Sequence, residues 1–442
     1  MVDKKCLAAL NRGVEYWNKW RKSDRYLQID LRGINLSNEA LLGINLTGVD
    51  LAGATLVKCN FCGGSLDGAN LMGANLTESN LSGVSLCGVN LTGAILIRVN
   101  CRGSESAGSN FSLANLAGAD LRVVDFSGAE LSAANFNQAN LNSANFIGAN
   151  LTGANFELSQ LENTNFSQAN LTRANFSAAN LTDANLEQAK VNEANFHRAI
   201  LHRSNLMRAD LTDANLSHSS LTAANLLQAD LTAANLAQTN LTTANLLGAD
   251  LTQADLNRAN FTQANLTQTN LTSAQAWTTK FDRSNLTGAC VENLKINQQT
   301  SFHKIVCQYL YLKGDCQRRV PATRQKHLSL GEFKLILQDL TNAVEVTFKE
   351  DLAWNVLLQA LNVLQQKYQQ HQIQLRSVEA CSNYKFIAKI KVQPHTEIKE
   401  IARSFRQEYN LLALTSKNIN PSHQLDINNT LKPGSLNSYK QN

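Results

Sequence analysis

From Leu31 to Ile296 a large apolar residue recurs at every fifth position, starting with Leu31, Leu36, Leu41, Leu46 and Leu51, and the register never slips. Of the 54 centres so defined, 48 are Leu or Phe, so this period governs the whole stretch. Two residues before most centres stands a small residue, usually Ala, and one before stands Asn or Asp. Ala134-Asn135-Phe136, Ala139-Asn140-Leu141, Ala144-Asn145-Phe146 and Ala149-Asn150-Leu151 show the rule. A helix would space its apolar residues by three and four, and a half-buried strand would alternate. A period of five with two inward positions per repeat predicts short extended pieces separated by regular bends. No proline occurs between Leu31 and Ile296, as a continuous backbone hydrogen-bond ladder requires.

These residues resemble the pentapeptide-repeat proteins, whose consensus reads Ala-(Asp/Asn)-Leu-X-X. With the Trp-bearing N-terminal segment, the long Ala-Asn-Leu run is similar to the family's cyanobacterial members. The resemblance implies an all-β, right-handed quadrilateral β-helix with four repeats per coil. On that reading the stretch makes about 13 coils, and at a strand spacing of ~4.8 Å the rod is roughly 60–65 Å long. Residues twenty apart then stack. Phe126, Phe146 and Phe166 fall in one column, and Phe136, Phe156, Phe176 and Phe196 in another on the opposite wall, with leucine on the other two walls. Stacked rings bury large apolar areas, so these coils are expected to be the most stable.

The flanks obey other rules. Leu7, Leu10, Val14 and Trp17 recur at helical spacing, which predicts a helix within residues 1–30 serving as a cap over the first coil, whose backbone edge would otherwise invite association. In the early repeats Ile34, Ile44, Val49, Val84 and Val89 replace the inward Ala. Between Ile97 and Asn110 the centres are Cys101 and Ser106, and no large apolar residue occurs from Arg102 to Ser109. A distorted coil or a loop is expected there, with a smaller fault at Ala276. After Ile296 the period stops. Gln308 to Val320 alternate about Lys313-Gly314-Asp315, which predicts a hairpin, and Ser329 with Glu332 predicts a capping box for a helix through Leu340. Strands at Val344–Phe348, Ile373–Val378 and Tyr384–Val392, with helices at Leu352–Tyr368 and Glu397–Leu412, predict a small α+β module similar to part of a split βαβ unit. The expected organisation is a helical cap over 1–30, repeats over 31–296, a hairpin, linker and helix over 297–340, a small α+β domain over 341–417, and a disordered tail over 418–442.

Charge changes the picture only in its distribution. The net charge of +5 divides into +3 for residues 1–30, −6 for the repeats and +8 for residues 297–442. No charged segment followed by an apolar core opens the chain and no apolar run approaches eighteen residues, so a soluble cytoplasmic protein is expected. The nine cysteines follow no disulfide or metal-site spacing. Family members that inhibit type II topoisomerases imitate duplex DNA, which demands strongly acidic faces. With fourteen basic residues against twenty acidic ones, the repeats do not extend the resemblance to that activity.

Nucleotide, nucleophile-elbow and zinc-protease motifs are absent from the sequence, which points away from an enzyme and from a cofactor. His197 and His202 fall on adjacent faces without a third ligand, and His303, Cys307 and Cys316 lack a fourth, so neither set reads as a metal site. The candidate partner surface is basic: Arg198, His202, Arg203 and Arg208, with His197 and His218, on the rod, and Arg318 and Arg319 in the linker. The expected function is a non-enzymatic protein–protein interaction scaffold or regulator, the rod positioning a C-terminal recognition module for a protein partner. The alternative is nucleic-acid binding through the basic C-terminal region. No membrane role is expected.

Overall fold

The computed structural model describes residues 4–23, 29–314, 317–329, 331–333, 336, 343–349, 353–369, 373–381, 385–391 and 398–416. The chain forms two compact units, Met1–Lys334 and Leu335–Asn442.

The coil of the first unit is written in its bridges. From Asp30–Asp50 to Gln275–Lys295, each residue before a centre pairs in parallel with the one twenty further on. Four five-residue faces therefore close one coil. The repeat at Asn155–Ser159 shows how all five backbone N–H groups are satisfied. Asn155 N–H donates to Ala134 O in the preceding coil, while Phe156 and Leu158 donate to Asn175 O and Ser177 O in the next. Ser159 N–H closes the corner onto Phe156 O at 3.1 Å. The fifth, Glu157 N–H, is taken by Asn155 Oδ1 at 3.1 Å, a short Asx turn. This is why Asn or Asp precedes most centres. Asn does one thing more: Asn175 Nδ2 donates to Asn155 Oδ1, and Asn155 Nδ2 to Asn135 Oδ1. Asp, lacking the amide donor, cannot extend that ladder.

Inside, the two phenylalanine columns stack as the twenty-residue spacing predicts. Phe136, Phe156, Phe176 and Phe196 lie face to face at 4.8 Å, and Phe126, Phe146 and Phe166 at 4.9–5.1 Å. The columns also meet edge to face across the axis, Phe156 lying 6.1 Å from Phe146 and 5.7 Å from Phe166. The residue two after each centre takes a left-handed φ, whether Gly or not: Gly103 at 65°, Gln138 at 58°, Arg203 at 53°. The period alone did not reveal this handed corner.

Two expectations fail in this unit. Residues 97–110 form neither a loop nor a distorted coil: the bridges Ser85–Glu105 and Glu105–Asp125 continue the ladder, and Cys101 and Ser106 N–H both donate at 2.8 Å to the next coil. The backbone ladder does not depend on the size of the inward side chain. Nor does the ladder stop at Ile296. One extra residue within Asn297–Thr300 shifts the spacing to twenty-one, and bridges Lys280–Ser301, Asn285–Val306 and Cys290–Tyr311 follow. Phe302 then stacks on Phe281 at 5.1 Å. The insertion hid these last repeats from a strict period of five.

The ends carry non-repeat structure. Two helices, α1 (Lys4–Leu10) and α2 (Val14–Ser23), replace the single one expected. Gly13, at φ 93°, breaks them apart, a left-handed stop that Gly favours. In α2 the fully buried Trp17 donates from Nε1 to Asn45 O at 2.7 Å. Asn18 Nδ2 donates to Gly43 O and its Oδ1 accepts from Asn45 N–H, both at 2.8 Å. One side-chain amide thus stands in for a peptide group along the open edge of the first coil, and Arg21 adds a bond to Thr47 O. At the other end, β1 (Leu310–Lys313) and β2 (Gln317–Val320) form an antiparallel hairpin. Leu328 N–H donates to Gln308 O, and the buried Phe333 meets Phe302 edge-on at 5.6 Å. The capping box forms, Ser329 Oγ accepting from Glu332 N–H while Glu332 Oε2 accepts from Ser329 N–H. Most of the helix expected through Leu340 lies outside the described residues, as does the tail from residue 418.

The second unit is a three-stranded antiparallel sheet ordered β3-β5-β4, with β3 Ala343–Lys349, β4 Gln374–Cys381 and β5 Lys385–Lys391. Joined through α3 (Trp354–Lys367), β3 and β4 run parallel with β5 between them, a split βαβ arrangement. Helix α4 (Ile398–Ser416) packs on α3 and β3. The core gathers Val346, Leu357, Leu361, Leu364, Ile390, Ile401 and Phe405. Tyr368 Oη and Ser404 Oγ lie 2.9 Å apart, tying the two helices.

Candidate interaction surface

The basic residues chosen on the rod do not converge. Arg198, Arg203 and Arg208 sit at left-handed corners five residues apart, so they occupy three successive corners of one coil, a ring around the rod in place of a patch. Arg203 and Arg208 are set by what lies twenty residues away. Arg203 makes a two-pronged ion pair with Asp183, its Nε at 2.7 Å, and the same contact holds the Asp183 carboxyl below its usual range. Arg173 does likewise with Glu193, Nε to Oε2 at 2.8 Å, lowering that carboxyl too. Arg208 Nε donates to Gln228 Oε1 at 3.0 Å. Arg198 makes no ion pair among the described residues. His197 Nδ1 lies 2.9 Å from Ser217 Oγ and its ring meets His218 edge-on, while His202 Nε2 lies 3.3 Å from Ser220 Oγ. The arginine ion pairs are exposed corner ladders, which contribute little when solvated.

In the linker, Arg319 is engaged with its own surroundings. Its guanidinium lies 4.1 Å over the Tyr309 ring and donates to the carbonyls of Pro321 and Thr323. Arg318 is exposed. Cys307, one of the residues weighed for metal, has its thiol pushed up to about 12 by burial, and Cys316 lies outside the described residues. Among the described residues no group of three or more His, Cys, Asp or Glu could hold a metal ion, and no helix is long and apolar enough to cross a membrane.

The second unit exposes apolar residues on both of its helices. In α3 the buried stripe is Val356, Leu357, Ala360, Leu361 and Leu364, whereas Trp354 and Leu358, apolar residues of the same helix, are 55% and 39% exposed. On α4, Leu411 and Leu414 are 59% and 67% exposed. The N-terminus of α3 meets α4 where Ala353 N–H donates to Tyr409 Oη at 3.2 Å, and Leu411, two residues further on, turns away from that contact. The phase of the α3 pattern held the signal: Trp354 and Leu358 are four apart on a face offset from Leu357 and Leu361.

The repeats settle the family. A model of the pentapeptide repeat region matches residues 119–196, and the model of pentapeptide repeats in eight copies matches segments between residues 28 and 288. Together they span more than half of the chain. The chain belongs to the pentapeptide-repeat family. Its members are in general repeat scaffolds or interaction proteins, and the twenty-residue register described above gives the four repeats per coil expected of the family. Among solved pentapeptide-repeat structures, HetL of the cyanobacterium Nostoc, described as involved in heterocyst differentiation regulation, is 30% identical over 56% of this chain and 93% of its own, with a TM-score of 0.18. Rfr23 of the cyanobacterium Cyanothece is 32% identical over 24% of this chain and 64% of its own, with a TM-score of 0.16. Full-length QnrB1, a plasmid-mediated fluoroquinolone resistance protein, is 18% identical over 50% of this chain and 91% of its own, with a TM-score of 0.17. No curated protein matches the chain by sequence.

Proposed function

We propose that this pentapeptide-repeat protein, of cyanobacterial type, is a non-enzymatic protein-interaction scaffold of the cytoplasm whose second unit is the recognition module. One observation carries the reading: the exposed apolar residues Trp354 and Leu358 on α3, with Leu411 and Leu414 on α4. Exposed Trp and Leu grouped on one module mark surfaces that bind other proteins. The basic corners of the rod offer less, because Arg203 is paired within the rod and the ring faces in several directions. Helix α2 acts as a lid over the first coil, by the bonds that Trp17, Asn18 and Arg21 make to its edge.

The test is a pull-down from lysate of the source organism with the full chain and with a full-length Trp354→Ala, Leu358→Ala variant whose fold is checked by circular dichroism. A protein held by the first bait and lost by the second is the expected outcome. Equal retention by both would move recognition to the rod. Loss of the captured material after nuclease treatment, or a steep fall in retention with moderate salt, would favour nucleic-acid binding through the basic C-terminal region instead.

A further inference from the structure

The coil from Leu91 to Asn110 differs inside from its neighbours. Two of its centres are Cys101 and Ser106 and two of its inward small residues are Ser104 and Ser109, all four buried. Hydroxyls at the inward small position elsewhere in the rod find a backbone carbonyl. Some reach the centre three residues earlier: Ser109 bonds Ser106 O, Ser159 bonds Phe156 O at 2.6 Å, and Ser204 bonds Leu201 O at 2.9 Å. Others reach back twenty-three residues, Thr164 to Leu141 O at 3.0 Å and Thr239 to Leu216 O at 2.7 Å. Ser104 does neither, and Ser106 stands at a centre, where Leu or Phe is the rule. Both Oγ atoms are buried and neither has a hydrogen-bond partner.

The side chains stacked above and below cannot supply one. Along the rod's axis, the twenty-residue register places Val84 and Val124 on either side of Ser104, and Leu86 and Phe126 on either side of Ser106, all apolar and buried. Ser and Cys carry two side-chain heavy atoms where Leu carries four, so these positions fill less of the interior than Leu would. We infer that Ser104 and Ser106 line an internal hydration site in the rod, a buried water bridging their two hydroxyls. A hydroxyl both donates and accepts, so two of them give a water the minimum of partners it needs. The layer is neutral: burial pushes the Cys101 thiol well above its ordinary value, keeping it protonated. The site therefore suits water and not an ion.

A crystal structure of the full chain with ordered solvent decides the matter. Density within hydrogen-bond distance of both Oγ atoms is expected. An empty layer, or Ser104 turned onto the carbonyl of Cys101 or Leu81, would overturn the inference. Thermal unfolding gives an independent sign. Ser104→Ala should lower the melting midpoint by on the order of 1–2 °C by removing a hydrogen bond to the water. An unchanged or raised midpoint would mean that the hydroxyl had no partner to lose, and would sink the proposal. Ser79→Ala is the control, since Ser79 Oγ donates to Leu56 O and accepts from Cys59 N–H, so its loss lowers the midpoint in either case.

Discussion

The coils around Phe126–Phe196 and the coil of Leu91–Asn110 share one backbone and little else. Both repeat the same bridges, the same corner bonds and the same left-handed turn. One is filled by two aromatic columns that stack along the axis and meet across it; in the other, Cys101, Ser104, Ser106 and Ser109 take half of the inward positions beside Leu91, Ala94, Leu96 and Val99. The difference separates two things that most folds entangle. Geometry here comes from a ladder of amides and Asx turns, which any inward side chain of the right size or smaller permits. Stability comes from what fills the interior, and it can vary from coil to coil without bending the rod, as expected where each repeat contacts chiefly its neighbours.

The strongest way to break this comparison is Phe156→Ala. Its ring is fully buried, stacked on both sides and flanked edge-on by two more, so a loss of about 3–5 kcal/mol is expected in urea unfolding. A loss below about 1 kcal/mol would mean that the ladder alone holds these coils. In the polar coil, Ser104→Ala combined with Ser106→Leu should instead stabilise by about 1–2 kcal/mol, the apolar area gained outweighing the displaced hydration. A net loss would show the layer to be tightly packed already. Amide exchange measures the same contrast in the native chain: amides within residues 131–190 should exchange about tenfold more slowly than those within 91–110, the ratio that a local difference of ~1.4 kcal/mol produces.

Smaller effects probe the corners. Gly103→Ala, at φ 65° with open space around it, should cost about 1 kcal/mol, because the strain is local to the backbone. Ala178→Gly, at φ 54°, should be near neutral or slightly stabilising. The smallest effect is electrostatic. Asp183 and Glu193 have carboxyls held below their usual range by Arg203 and Arg173, so their contribution is present above the unfolded carboxylate range near pH 4. It is lost as the pH falls through their lowered values. Asp183→Asn should flatten that part of the acid dependence of the melting midpoint slightly, and added salt should do the same.

The rod was legible because its pattern is overdetermined: a centre, a small partner and an Asn or Asp, each repeated dozens of times. Legibility failed where one residue broke the count, as within Asn297–Thr300, because a strict period cannot see an insertion that the backbone absorbs in a corner. It failed at Gly13, where a single left-handed stop outweighs an unbroken apolar stripe. It failed at residues 97–110 because small inward residues suggest a weak ladder only if side chains are taken to hold the ladder up. The candidate surface was the least legible. Arg198, Arg203 and Arg208 are neighbours in sequence, yet a corner between each pair turns them to different sides. Trp354 and Leu358 were hidden by their resemblance to the stripe beside them.

The twenty-residue register has a geometric consequence for anything joined beyond the last coil. Such a rod behaves as a screw with two separate adjustments. Duplicating four repeats advances the exit point by ~4.8 Å and leaves its bearing unchanged, whereas inserting a single repeat swings the bearing by a quarter turn with only a fraction of that advance. Reach and heading can thus be reset by gene duplication alone, with no new contact to invent.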